Sequence, residues 1–203
     1  MKLLALGIVT ALSFSANAAQ LNYDFIEAGY IQTDIDAISI VDPKGFVLAG
    51  SKQVNDNWYM SGHYASQSDE VRDTVYFYDQ SATITVDVDF TRFALGAGYI
   101  YSLSNETKID YSVHLGQIEA DVSGDSDSTD TLTLNAQVRH LVNPSFELSA
   151  GLGFERLHDD ESENSAVVNA GAQYYFNNQF SVKAQYRNAD EYSDILLVAR
   201  YSF

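Results

Sequence analysis

Apolar and polar residues alternate with a period of two along nearly all of the chain after residue 18. That spacing is the signature of strands with one apolar and one polar face, and it leaves little room for any other fold. Phe93, Leu95, Ala97, Tyr99 and Tyr101 share one face, while Arg92, Ala94, Gly96 and Gly98 share the other. The same division recurs in segments around Ile109–Leu115, Leu132–Val138, Phe146–Phe154, Val168–Phe176, Phe180–Tyr186 and Ile195–Phe203. Trp58–Tyr64 and Phe46–Gly50 follow it less cleanly, and in Leu21–Gln32 the parity stays open because Asp24 and Glu27 fall on opposite faces. Ten strands are predicted, with eight as the alternative count. No segment beyond residue 18 has sustained helical spacing or 18 consecutive apolar residues, so the fold class is all-β.

The first 18 residues read differently. Lys2, an apolar run from Leu3 to Phe14 and the small-residue pattern Ala16-x-Ala18 form a secretory signal, with cleavage expected after Ala18. One domain, residues 19–203, is then expected as the mature barrel. The sequence holds 11 Lys+Arg against 28 Asp+Glu, a formal charge of -17, which argues against a phosphate-backbone partner; no nucleic acid is expected. With 13% aromatic and 19% charged residues, the chain does not have the composition of a disordered acidic segment. The absence of Cys removes disulfide scaffolds, thiolate metal sites and Cys nucleophiles.

Connections alternate in length. Asn55-Asp56-Asn57, Leu103–Glu106, Asn143-Pro144 and Asn177-Asn178 are short and rich in turn formers, whereas Thr33–Lys44, Gln67–Val88, Glu119–Asp130, His158–Asn164 and Asn188–Asp194 read as long loops. A soluble lipocalin-like barrel has the same period with the opposite sense. Mid-strand charges on the polar faces, aromatics towards the ends of the apolar faces, and short turns at one end only all favour lipid outside and ions inside. A strand in hydrocarbon needs every backbone group paired, so the expected architecture is a closed antiparallel transmembrane β-barrel.

The signal segment, the alternating strands and the ending Arg200-Tyr201-Ser202-Phe203 resemble bacterial outer-membrane β-barrels of the OmpA/OmpX-like "outer membrane protein beta-barrel domain" group. The resemblance covers nearly all of residues 19–203 and departs in strand number, since OmpX-type barrels have eight. A C-terminal peptidoglycan-binding domain like that of full-length OmpA is not expected in this chain. The resemblance implies the outer membrane of a Gram-negative cell. It also implies that Tyr201 and Phe203, with apolar residues at alternate positions upstream, are the signal read by the barrel-assembly machinery. The implied role is structural or surface-interacting. A small porin-like channel for ions or small solutes is the alternative, and an outer-membrane hydrolase comes third. No enzyme activity and no cofactor is expected.

Candidate site residues lie on the polar faces. Arg92, Lys108, Arg139, Lys183, Arg187 and Arg200 are expected to look across a lumen at Asp110, Glu147, Glu155 and Glu27, as an ion-pair plug or as the wall of a narrow pore. Inward glycines such as Gly96, Gly98 and Gly151 are expected to leave room for water. Asp110, Ser112 and His114 share an inward face, but same-face neighbours stand about 6.6–6.8 Å apart, too far for direct hydrogen bonds. Asp125, Asp127 and Asp130 invite a calcium-loop reading, yet Gly is missing at the sixth position and Ala136 stands where a Glu is needed. They are left as candidates for loose divalent-cation association. Of the 28 acidic residues, 21 fall in the long connections or at their edges. That charge suggests cation-bridged contact with anionic lipopolysaccharide or contact with an unidentified extracellular partner, against plain solubility of exposed loops.

Overall fold

Side-chain oxygens close the four short turns. Asn55 accepts the amides of Asn57 and Trp58, both at 3.0 Å, and Asn177 accepts those of Gln179 and Phe180, both at 2.8 Å. Asn143 accepts from Ser145 at 2.9 Å, and the Ser104 hydroxyl accepts from Glu106 and Thr107, both at 3.1 Å. Each supplies a local partner for amides that the strand ladder cannot reach.

Between these turns the computed structural model describes residues 20–35, 41–77, 80–158, 163–190 and 192–203, with backbone alone at 72–77 and 80–84. Ten strands follow in chain order: β1 (Phe25–Ile35), β2 (Lys44–Gln53), β3 (Trp58–Phe77), β4 (Gln80–Ser102), β5 (Thr107–Val122), β6 (Asp125–Asn143), β7 (Phe146–His158), β8 (Glu163–Tyr175), β9 (Phe180–Ala189) and β10 (Tyr192–Ser202). Each pairs antiparallel with its neighbours. β1 then closes on β10, from Phe25 opposite Ser202 to Ile35 opposite Tyr192. The ten-strand count holds, and the alternative of eight does not.

Parity decides what each face meets. Phe93, Leu148 and Leu197 are 47%, 46% and 58% exposed on the outer surface, whereas Glu147 and Arg200 are 3% and 6% exposed inside. The arrangement is that of a barrel solvated by lipid. In β1 the open parity resolves: Ile26 and Tyr30 are exposed while Ile31 and Thr33 are buried, so Glu27 points inward. Outer aromatics gather at two levels and meet across the ladder. Trp58 packs edge-on to Tyr99 at 5.2 Å and Phe180 lies 5.2 Å from Tyr201 near the short turns, while Phe46 meets Tyr64 at 5.9 Å nearer the other end. Two such levels are the interfacial girdles of a membrane barrel.

Two expected loops are strands instead. β3 and β4 stay paired out to Phe77 opposite Gln80, and β5 and β6 to Val122 opposite Asp125. Gln67–Val88 and Glu119–Asp130 are therefore long hairpins. The second turns on Ser123 and Gly124 alone, at φ 55° and 96°. Both residues take the positive φ that a two-residue hairpin turn requires, and glycine at the second position does so without a Cβ clash. Asp69, Glu70, Asp87, Asp89, Glu119 and Asp121 sit on these ribbons rather than on loops. The Asp- and Ser-rich composition beyond Val122 concealed the second hairpin, because polar residues on both faces remove the parity signal, whereas the first carried one, Ala82, Ile84, Val86 and Val88 alternating with Ser81, Thr83, Thr85 and Asp87.

Candidate functional site

The lumen collects six of the chain's eleven basic side chains, and they bond in three tiers. Nearest the short turns, Arg139 on β6 grips Glu147 on β7 with two bonds, Nε to Oε1 at 2.7 Å and Nη2 to Oε2 at 3.0 Å. Tyr175 on β8 donates to the same carboxylate. Asp110 on β5 accepts from Tyr59 at 2.9 Å and from Tyr23 at 3.3 Å. Lys108 donates to the Leu21 carbonyl at 2.9 Å rather than to a carboxylate.

In the middle tier Glu27 on β1 holds two cations. Lys183 Nζ lies 2.8 Å from Oε1, and Arg200 Nε and Nη2 lie 2.9 and 2.8 Å from Oε2. The Arg200 guanidinium also covers the Phe25 ring at 3.6 Å.

The third tier faces the long hairpins. Arg92 reaches both oxygens of Asp194 at 3.0 Å and the Thr33 hydroxyl at 2.9 Å. Arg187 bonds Glu155 and lies 3.6 Å from Asp194. The Tyr192 ring sits between the two guanidinia, 4.8 Å from Arg92 and 5.1 Å from Arg187. Removing one member of such a cluster leaves a charge without its partner in a site away from bulk water, which costs several kcal/mol.

The tiers bound two cavities. The lower, about 200 Å³, is lined by Tyr59, Ser112, Gln137 and Arg139 among others, and the upper, about 250 Å³, by His63, Arg92, Glu155 and Asp194 among others. Lys183, Gln185 and His114 border both. The inward glycines here do not simply leave space. A Cβ on Gly98 would lie 2.3 Å from the Tyr59 ring, so glycine is what lets that ring lie flat enough to reach Asp110. His114 occupies the space over Gly96 in the same way, its Nε2 2.8 Å from the Ser61 hydroxyl and its ring 6.2 Å from that of His63.

The other candidates are placed apart from this network. Asp125 and Asp127 lie on one face of β6 and Asp130 on the other, so the three cannot converge on one ion as a loop would allow. Among the described residues no three His, Asp or Glu side chains are arranged to hold a metal. Tyr201 and Phe203 end the seam strand on the outer face, with the Phe203 amide donating to the Asp24 carbonyl at 3.1 Å.

Sequence reading missed Asp194, assigned to a loop edge, and the four phenols of Tyr23, Tyr59, Tyr175 and Tyr192. A signal existed for three of them: Tyr59 and Tyr175 stand on the polar parity of their strands, and Tyr192 shares parity with Asp194 and Arg200. Nothing marked Tyr23, which lies outside the strands.

Comparisons with known proteins follow the same architecture. Residues 3–201 match the family described as "Outer membrane protein beta-barrel domain". No curated protein matches the chain significantly. Among solved structures, the beta domain of the Bordetella autotransporter BrkA aligns with a TM-score of 0.57 at 12% identity, over 92% of this chain and 100% of that one. The translocator domain of the autotransporter NalP from Neisseria meningitidis gives 0.51 at 12% identity, over 90% and 89%. The KdgM porin, solved in complex with disordered oligogalacturonate, gives 0.51 at 9% identity, over 88% and 99%. At these identities the likeness is one of fold. A ten-stranded barrel closed first strand to last, apolar outside and ionic within, thus agrees with the match over residues 3–201: the chain belongs to the outer membrane protein beta-barrel domain family.

Proposed function

We propose that this outer-membrane barrel works through its outer surface, in a structural or surface-interaction role, with a lumen that does not conduct. The observation that carries this reading is the three-tier ladder, in which Arg139, Arg200, Lys183, Arg92 and Arg187 each find a carboxylate on another strand. Small barrels fill their interiors, and open channels come with many more strands. With the short turns facing the periplasm, the β3–β4 and β5–β6 hairpins stand outside the cell and carry acidic side chains there. Divalent cations would bridge these to lipopolysaccharide, or a basic extracellular partner would meet them directly. Export would use residues 1–18, with cleavage near Ala18, and assembly would use the terminal Tyr201 and Phe203. Conductance in planar bilayers tests the closed lumen: the purified barrel should give no steady single-channel steps, and reproducible steps would overturn it. Deleting Phe203 should lower surface levels, and unchanged levels would refute the assembly role.

A second reading, a small channel for ions or small solutes, is favoured by the two cavities stacked along the axis, about 200 and 250 Å³, which share Lys183, Gln185 and His114 in their walls. In that case Lys183, which borders both cavities, stands on the path between them, and Lys183→Ala should raise conductance. The hydrolase alternative finds no carboxylate bonded to His114 among the described residues, its Nε2 being engaged with the Ser61 hydroxyl.

A further inference from the structure

Residues Leu21–Tyr23 precede β1 and could have run straight out of the barrel. They turn inward instead: Leu21 is 2% and Tyr23 3% exposed. Their partners come from the far wall, since β6 lies five strands away from β1 in the closed order, half the circumference. Lys108 on β5 donates to the Leu21 carbonyl at 2.9 Å, and Arg139 on β6 donates to the Asn22 carbonyl at 3.2 Å. The Tyr23 hydroxyl donates to Asp110, and its ring lies 4.9 Å from Tyr59 and 4.8 Å from the Arg139 guanidinium. The Leu21 side chain packs with Leu141 and Tyr175. Two cations aimed at successive backbone carbonyls, a phenol seated between an aromatic ring and a guanidinium, and an apolar contact for one side chain are together what an extended peptide needs.

We infer that the short-turn mouth of the barrel is a peptide-binding site, which the chain fills with its own residues Leu21–Tyr23, Tyr23 lining the lower cavity. This goes beyond the non-conducting reading, because occupancy of the mouth can be measured whether or not the rest of the lumen conducts. The site recognises backbone carbonyls through Lys108 and Arg139, and side chains only at the leucine and tyrosine positions. A short extended peptide ending in Leu-Asn-Tyr is the ligand it would accept in place of the tethered segment.

The absence of cysteine makes the test direct. Leu21→Cys and Val54→Cys variants, the latter on a turn at the same end and 62% exposed, are folded in lipid vesicles and exposed to a water-soluble maleimide. The Leu21→Cys thiol should react at least about tenfold more slowly, since its labelling must wait for local opening. Equal rates would overturn the inference. Lys108→Ala in the Leu21→Cys background should speed labelling, with heat-dependent gel mobility confirming that the barrel is folded; an unchanged rate would count against Lys108 as the clamp. In a variant lacking residues 20–23, Ser112→Cys in the lower cavity should become reactive, and a synthetic Gln-Leu-Asn-Tyr peptide should slow that reaction again. Failure of the peptide to protect at millimolar concentration would refute a binding site in the mouth. If the intact barrel conducts while the Leu21→Cys thiol stays protected, the closed-lumen reading fails and this one stands.

Discussion

Glu147 and Leu148 are adjacent on β7, yet the carboxylate is 3% exposed and the leucine 46%. The lumen wall and the lipid wall are made by the same backbone, one residue out of phase, and their energetics are opposite. Inside, stability comes from pairing, and the loss of a partner is what hurts. Outside, the solvent is hydrocarbon, so the same leucine that would be idle on a soluble protein is in its preferred medium. A closed ladder lets both walls exist without any unpaired edge.

The difference can be broken most sharply from within. Glu147→Ala leaves Arg139, 7% exposed at its side chain, without its carboxylate, and should cost about 3–5 kcal/mol in urea unfolding from lipid vesicles. A loss below about 1 kcal/mol would mean that the ladder is not what holds the lumen. From outside, Leu152→Arg places a charge at a lipid-facing position that is 67% exposed and should cost about 2–4 kcal/mol. No change there would return Leu152 to water and sink the membrane orientation. Replacing the pair together, Arg139→Met with Glu147→Leu, should come within about 1 kcal/mol of the parent, because neither charge is then left alone. The smallest effect belongs to the protruding hairpins, where Asp125→Asn should change stability by less than about 0.5 kcal/mol.

How much of this was legible depended on the range of the interaction. Parity is local, so strand number, the outward setting of Phe93 and Leu197 and the inward setting of Arg92 and Arg200 could be read directly. The turns were equally local, being written in Asn55, Asn143 and Asn177. The lengths of β5 and β6 were not, because beyond Val122 both faces are polar and only the backbone ladder persists; for β4 the alternation of Ala82, Ile84, Val86 and Val88 with Ser81, Thr83, Thr85 and Asp87 was there to be read. Pairings across the lumen were out of reach altogether: Arg92 meets Asp194 and Arg139 meets the Asn22 carbonyl at separations of 102 and 117 residues. Charge type told that such partners were needed, and closure alone decided which. The inward turn of Leu21–Tyr23 follows from that closure as well, since Lys108 and Arg139 become its donors only once the far wall stands opposite.

The seam between β1 and β10 has a consequence in time. Its register joins Phe25 to Ser202, so the first strand waits for the tenth before its outer edge is covered. Until then the molecule is a curled sheet with two open edges, each able to capture a neighbour. Contacts of such sequence separation make closure slow. A nascent chain of this design therefore keeps both edges exposed through the interval in which it is nearly complete and still open.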